Sequence, residues 1–142
     1  MNSPSELDCL QLGPLDHVAV AVRDIDTAAK RYSALGLRIG HREQVGDQGV
    51  EVAFLEADGT ATLELVCPTS PDSPIVAFLD RRGESLHHIC FRVEDIDAAL
   101  AAARRAELRL IDDVPRAGAK GSRIAFIHPE VTGVLIELKQ PA

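Results

Sequence analysis

The chain carries one passage twice. Residues 15–39 laid over residues 86–110 without a gap share Leu15/Leu86, His17/His88, Val22/Val93, Asp24/Asp95, Ile25/Ile96, Asp26/Asp97, Ala28/Ala99, Leu37/Leu108 and Arg38/Arg109. Nine identities stand where unrelated segments would share about two, so the repeat is an internal duplication. Val52-Ala53-Phe54-Leu55 is answered by Ile124-Ala125-Phe126-Ile127, and Leu63-Glu64-Leu65 by Ile136-Glu137-Leu138. A chain of 142 residues therefore holds two small modules, each too short to bury a sheet of its own well. The expected solution is two halves that pack together as one domain.

Each copy opens on a β-branched, strand-length run, His17 to Val22 and His88 to Val93, followed by Asp-Ile-Asp. The first aspartate of that triplet can cap the free amides of a helix, and the isoleucine can staple it. Ile25, Ala28, Ala29, Tyr32 and Leu35 then recur at helical spacing, with Gly36 as a left-handed stop. Three further strands are predicted in the first copy, Leu37 to Val45, Val50 to Ala57 and Thr60 to Cys67, separated by the turns GDQG and ADGT. Their counterparts in the second are Leu108 to Val114, Arg123 to His128 and Gly133 to Lys139. Ser73-Pro74 ahead of IVAFLDRRG reads as a capped linker helix. The expected organisation is an N-terminal flexible tail over 1–14 and a single domain over 15–142, with module one at 15–68, a linker helix within 69–85 and module two at 86–140. The fold class is α+β: two βαβββ modules forming a curled mixed sheet with helices on the outside and a cleft on the concave side.

A formal charge of −7 leaves no broad basic surface for a phosphate backbone, which argues against nucleic acid as a partner. No apolar run approaches the roughly 20 residues of a membrane span, and the start lacks a signal-like core. A cytoplasmic location without membrane association is expected. Cys9, Cys67 and Cys90 are odd in number and widely spaced, which fits reduced structural thiols.

Strand alternation turns the repeat into a statement about chemistry. With Val18, Val20 and Val22 against the helices, His17, Ala19 and Ala21 face the cleft, and His88, Cys90 and Arg92 do so in the second copy. On the last strand of each module Leu63, Leu65 and Cys67 point one way and Glu64 the other, as Ile136 and Leu138 leave Glu137. A buried carboxylate needs a positive partner. Two histidines and two glutamates, His17, Glu64, His88 and Glu137, suit a divalent first-row metal with open positions. His87 has the opposite parity and is read as packing, His128 as ordering the turn before Pro129, and His41 as a surface residue. The loop RAGAKGS, with Arg116 and Lys120 and then Arg123, offers charge and backbone amides to an anionic ligand or a plain solvated hairpin.

LDHVAVAV, ELVCP, SLHHICFRVEDIDAAL, GSRIAFIHP and GVLIELKQP resemble the vicinal oxygen chelate superfamily and, more narrowly, the methylmalonyl-CoA epimerase family, over about Leu15 to Pro141. The resemblance implies a cleft built from paired βαβββ modules and the same metal set, His17, Glu64, His88 and Glu137. Parts of the family carry a glutamine where this chain has Glu64. The implied reaction inverts the carbon between a carboxylate and a thioester of an acyl-CoA, (R)- and (S)-methylmalonyl-CoA interconverting by α-proton removal through an enolate stabilised by a divalent cation (cobalt, manganese, nickel or zinc). A homodimer is implied as well. Glu137 is expected to act as one base. Glu51, sharing parity with Ala53, is expected to face the cleft as the other, although the glutamate that some epimerases carry on this strand falls one residue later, at Val52, so that Glu51 is either displaced by a bulge or an ordinary solvated residue. Two other readings stand beside this one: a glyoxalase-like isomerase on the same scaffold, and a non-catalytic protein that binds a small ligand.

Overall fold

The computed structural model describes residues 10–57 and 60–142. Residues 1–9 of the expected tail, with Cys9, and the centre of the ADGT turn lie outside the described residues. The chain divides into two compact units, His17–His87 and a second formed by His88–Ala142 with the described residues before His17.

In the first unit β1 (Leu15–Ala21) leads to α1 (Ile25–Ser33), β2 (Arg38–Val45), β3 (Val50–Ala57), β4 (Thr60–Pro68) and α2 (Pro74–Arg82). The sheet runs β2-β3-β4-β1: β1 is parallel to β4, and the other two pairings are antiparallel. Asp24 caps α1, accepting from the Thr27 amide at 2.8 Å. The helix closes as its sequence suggests: the Leu37 amide reaches back to the Tyr32 carbonyl while Gly36 sits at φ 91°. Leu35 falls in that turn rather than on the buried stripe and is 76% exposed. Ile25 and Ala28 of α1 pack with Val22, Ala53, Leu55, Leu65 and Cys67 into one apolar cluster. Burying a side chain the size of Ile25 or Leu65 contributes about 1.5–3 kcal/mol. Ser73 caps α2 and Pro74 occupies its first turn, as read from the sequence.

The second unit repeats the plan with β5 (Ser85–Arg92), α3 (Ile96–Arg105), β6 (Arg116–Ala117), β7 (Arg123–Ile127) and β8 (Leu135–Gln140), in the order β5-β8-β7-β6. β5 is parallel to β8, and Asp95 caps α3 through the Ala98 amide at 3.1 Å. Val93, Ile96, Leu100, Ala125, Ile127, Ile136 and Leu138 form its core, with Leu10 packed against them. The Gly13 amide donates to the Arg92 carbonyl and the Arg92 amide to the Pro14 carbonyl. The duplication is thus visible as two βαβββ modules of the same class, each with a helix on one face of a mixed sheet.

One expected strand does not form. Over Leu108 to Val114 there is a single bridge, Leu110 to Ile127, and the fourth strand shrinks to Arg116–Ala117. The amides of Ile111 and Asp112 both turn to the Phe126 carbonyl, and the Asp112 carboxylate accepts from the Phe126 amide at 2.9 Å. A side chain has taken the place of a ladder carbonyl, and Pro115 follows with no amide to give.

Candidate functional site

Glu64 reaches its position because its neighbours leave it no other. Leu63, Leu65 and Cys67 turn toward α1, so Glu64 emerges on the opposite face of β4, 5% exposed. It stands across the ladder from Phe54 of β3, and its Oε2 lies 3.3 Å from Nε2 of His17 on β1. The His17 ring meets Phe54 edge to face at 5.6 Å, which holds the imidazole plane. The second unit builds the same arrangement. His88 Nε2 lies 3.4 Å from Glu137 Oε1, and the His88 ring meets Phe126 edge to face at 5.6 Å. All four side chains are buried, and none lies on the face that packs against a helix.

Burying an imidazole and a carboxylate together costs free energy unless their remaining lone pairs and protons are satisfied. The spacing says what would satisfy them. Two donor atoms held about 2.1 Å from one first-row ion at a tetrahedral angle stand about 3.4 Å apart. The two pairs, at 3.3 and 3.4 Å, match that figure and exceed the roughly 2.8 Å of a strong charge-assisted hydrogen bond. The residues present fit a divalent cation.

Around Glu137 the sequence reading missed a charged cluster. Asp16, with a side chain 6% exposed, accepts from Arg92 Nε at 2.6 Å and from Lys139 Nζ at 3.1 Å. Lys139 shares the Glu137 face of β8, so the alternation already applied to Glu137 also carried this signal. Cys90 is directly opposite Glu137 in the β5–β8 ladder and fully buried. Burial first, and the Glu137 charge second, push its thiol up, which makes it an inert packing group rather than a nucleophile. Cys67 and Cys90 are both free thiols.

Glu51 requires a correction. It does share parity with Ala53, but Ala53 and Leu55 belong to the apolar cluster under α1, so this face of β3 is the helix-covered one. Glu51 accordingly pairs with Arg42 at 3.0 Å, and Arg42 also grips Asp26 of α1 at 2.7 Å. The two carboxylates hold the guanidinium firmly protonated, and Arg42 holds Asp26 below the ordinary carboxylate range. Glu51 is part of a helix-anchoring ion-pair chain.

The other histidines sort themselves. His87 packs on Phe78 at 4.8 Å, and His128 Nδ1 accepts from the Glu130 amide at 3.0 Å, ordering its turn. In the basic loop Arg123 pairs with Asp97, while the Arg116 guanidinium lies 5.4 Å from the Phe126 ring centroid and 3.2 Å from Asp112. His41 is not a plain surface residue. It sits beside Phe54 and holds Glu43 at 2.8 Å.

The Glyoxalase/Bleomycin resistance protein/Dioxygenase superfamily profile matches residues 16–126. The ethylmalonyl-CoA/methylmalonyl-CoA epimerase of Cereibacter sphaeroides is 39% identical, covering 91% of this chain and 98% of that protein. The chain belongs to this family of epimerases. Among solved structures, methylmalonyl-CoA epimerase from Mycobacterium tuberculosis is 42% identical with a TM-score of 0.84, covering 90% of this chain and 87% of that one. A variant of the Streptomyces coelicolor methylmalonyl-CoA epimerase in complex with 2-nitronate-propionyl-CoA is 40% identical with a TM-score of 0.85, covering 93% and 96%. No described helix is long and apolar enough to cross a membrane.

Proposed function

We propose that this chain interconverts the epimers of methylmalonyl-CoA, with residues 15–142 acting as one catalytic domain and the active species a homodimer. The observation that carries the reading is the recurrence of a buried His–Glu pair at ligand spacing, His17 with Glu64 and His88 with Glu137, in a chain related to epimerases over nearly its whole length. Those four residues would hold one divalent cation, with cobalt, manganese, nickel and zinc all compatible with two imidazoles and two carboxylates. When bound, the cation supplies Lewis acidity to the thioester oxygen.

The protein's own part is proton transfer and positioning. The α-hydrogen of a carboxylate-flanked thioester is only mildly acidic, so a carboxylate must be held within hydrogen-bond reach of it. Glu137 is fixed for that task by its ladder place between Leu135 and Lys139, by His88 at 3.4 Å and by the closed apolar layer of Ile136 and Leu138 behind it. Its carboxylate accepts the α-proton while the C–H electron pair moves into the carbonyl, and proton return on the opposite face completes inversion.

The test is solvent exchange. Incubated with cobalt and methylmalonyl-CoA in deuterated buffer, the protein is expected to wash deuterium into the α position, and Glu137→Gln to slow this by at least ~100-fold. An α-proton that stays in place with the metal-loaded chain refutes the proposal. Isomerisation of a glutathione hemithioacetal instead would identify a glyoxalase-like enzyme, and ligand binding without turnover a sequestering protein.

A further inference from the structure

The epimerase reading leaves one proton unaccounted for. Inversion by proton removal on one face and return on the other needs a second acid–base group, and Glu51 is turned to the helix side. The site face of β3 carries Val50, Val52 and Phe54, none of which can move a proton.

β2 pairs with β3 through a shift in register between Ile39 and His41. Ile39 stands opposite Leu55, on the helix face, and unbroken alternation would put His41 on that face too. The extra residue, Gly40, reverses the parity. Beyond it His41 stands opposite Phe54 and Glu43 opposite Val52, both on the face that carries His17 and Glu64. A β carbon built at Gly40 would meet the carboxylate end of the flexible Glu56 side chain at 2.3 Å, so the bulge falls at a residue whose missing side chain leaves that carboxylate room. The re-aimed pair is organised: His41 Nε2 and Glu43 Oε1 are 2.8 Å apart, and the His41 ring lies 6.1 Å from the Phe54 ring, whose other neighbour is His17 at 5.6 Å. The Glu43 side chain is 30% exposed, open enough to meet a substrate and sheltered enough to be held.

The geometry points to Glu43 as the second proton-transferring carboxylate, with His41 as the residue that positions it; this inference rests on the epimerase reading. Glu43 accepts the α-proton of one epimer as the C–H pair moves into the thioester carbonyl, and protonated Glu137 returns a proton to the α-carbon. In the reverse direction Glu137 accepts and Glu43 donates. Atoms and charge balance without any further reactant. The one-residue bulge at Gly40 is what turns this carboxylate of β2 to the site face.

The experiment follows α-proton exchange in deuterated buffer from each pure epimer separately, with cobalt-loaded protein. The unaltered chain is expected to exchange both. Glu43→Gln, a same-shape change at a partly exposed site, is expected to lose exchange from one epimer by ~100-fold or more while keeping it from the other. His41→Gln should weaken the same epimer by ~10-fold, and placing a carboxylate directly across the ladder, Val52→Glu in the Glu43→Gln background, should restore it in part. A merely structural role would slow both epimers equally and would not respond to that transfer. Equal exchange from both epimers in Glu43→Gln, or equal loss from both with no recovery on Val52→Glu, overturns the assignment and leaves the epimerase reading standing. No exchange by the unaltered chain overturns both.

Discussion

Replacing Lys139 by methionine tests what keeps the face around Glu137 in order. Lys139 and Asp16 are both buried, with side chains 9% and 6% exposed, and their charged atoms are 3.1 Å apart. Removing one partner of a buried pair costs about 3–5 kcal/mol, because the remaining charge stays desolvated without its counter-charge. Asp16 retains Arg92 at 2.6 Å, but the Arg92 side chain is 53% exposed and its charge is screened by solvent. The expected loss for Lys139→Met is therefore about 2–3 kcal/mol rather than the full figure. Urea denaturation should show a lower midpoint with an unchanged slope. Asp16→Asn in the same background removes the carboxylate charge that Lys139 had balanced, so the double variant should be more stable than the sum of the two single losses by at least ~1 kcal/mol. A loss under ~0.5 kcal/mol for Lys139→Met, or strict additivity in the cycle, would refute the view that Asp16 depends on this lysine.

Two further outcomes follow from the two units. Glu107 occupies the left-handed stop of α3 at φ 60°, the place Gly36 fills after α1, so Glu107→Gly should stabilise the protein by roughly 1 kcal/mol, read as a raised denaturation midpoint. Arg42 holds the exposed Asp26 carboxyl below its ordinary range, so this group contributes stability above its unfolded value and loses it as pH falls through the lower folded value. In Arg42→Gln the Asp26 titration, followed by carboxyl NMR, should move up, and an unmoved midpoint would assign the shift to another cause.

The sequence alone determined the repeated βαβββ plan and the parity of the residues that matter most. Duplication made those readings secure: Asp24 and Asp95 cap in both copies, and Leu63/Leu65 and Ile136/Leu138 put Glu64 and Glu137 on the opposite face of their strands from those apolar neighbours. Alternation, however, tells which residues share a face and not which face is covered. Both faces of β3 are apolar, so only the ladder contact of Ala53 with Leu65, beneath α1, reveals that Glu51 lies on the helix side. Gly40 looked like any strand glycine until its bulge reversed the parity of His41 and Glu43, and Asp112 looked like part of a strand until its carboxylate took a backbone amide. Tertiary structure decided these points because each depends on which surface a neighbouring element covers or on a register slip of one residue, and neither leaves a periodic trace in the chain.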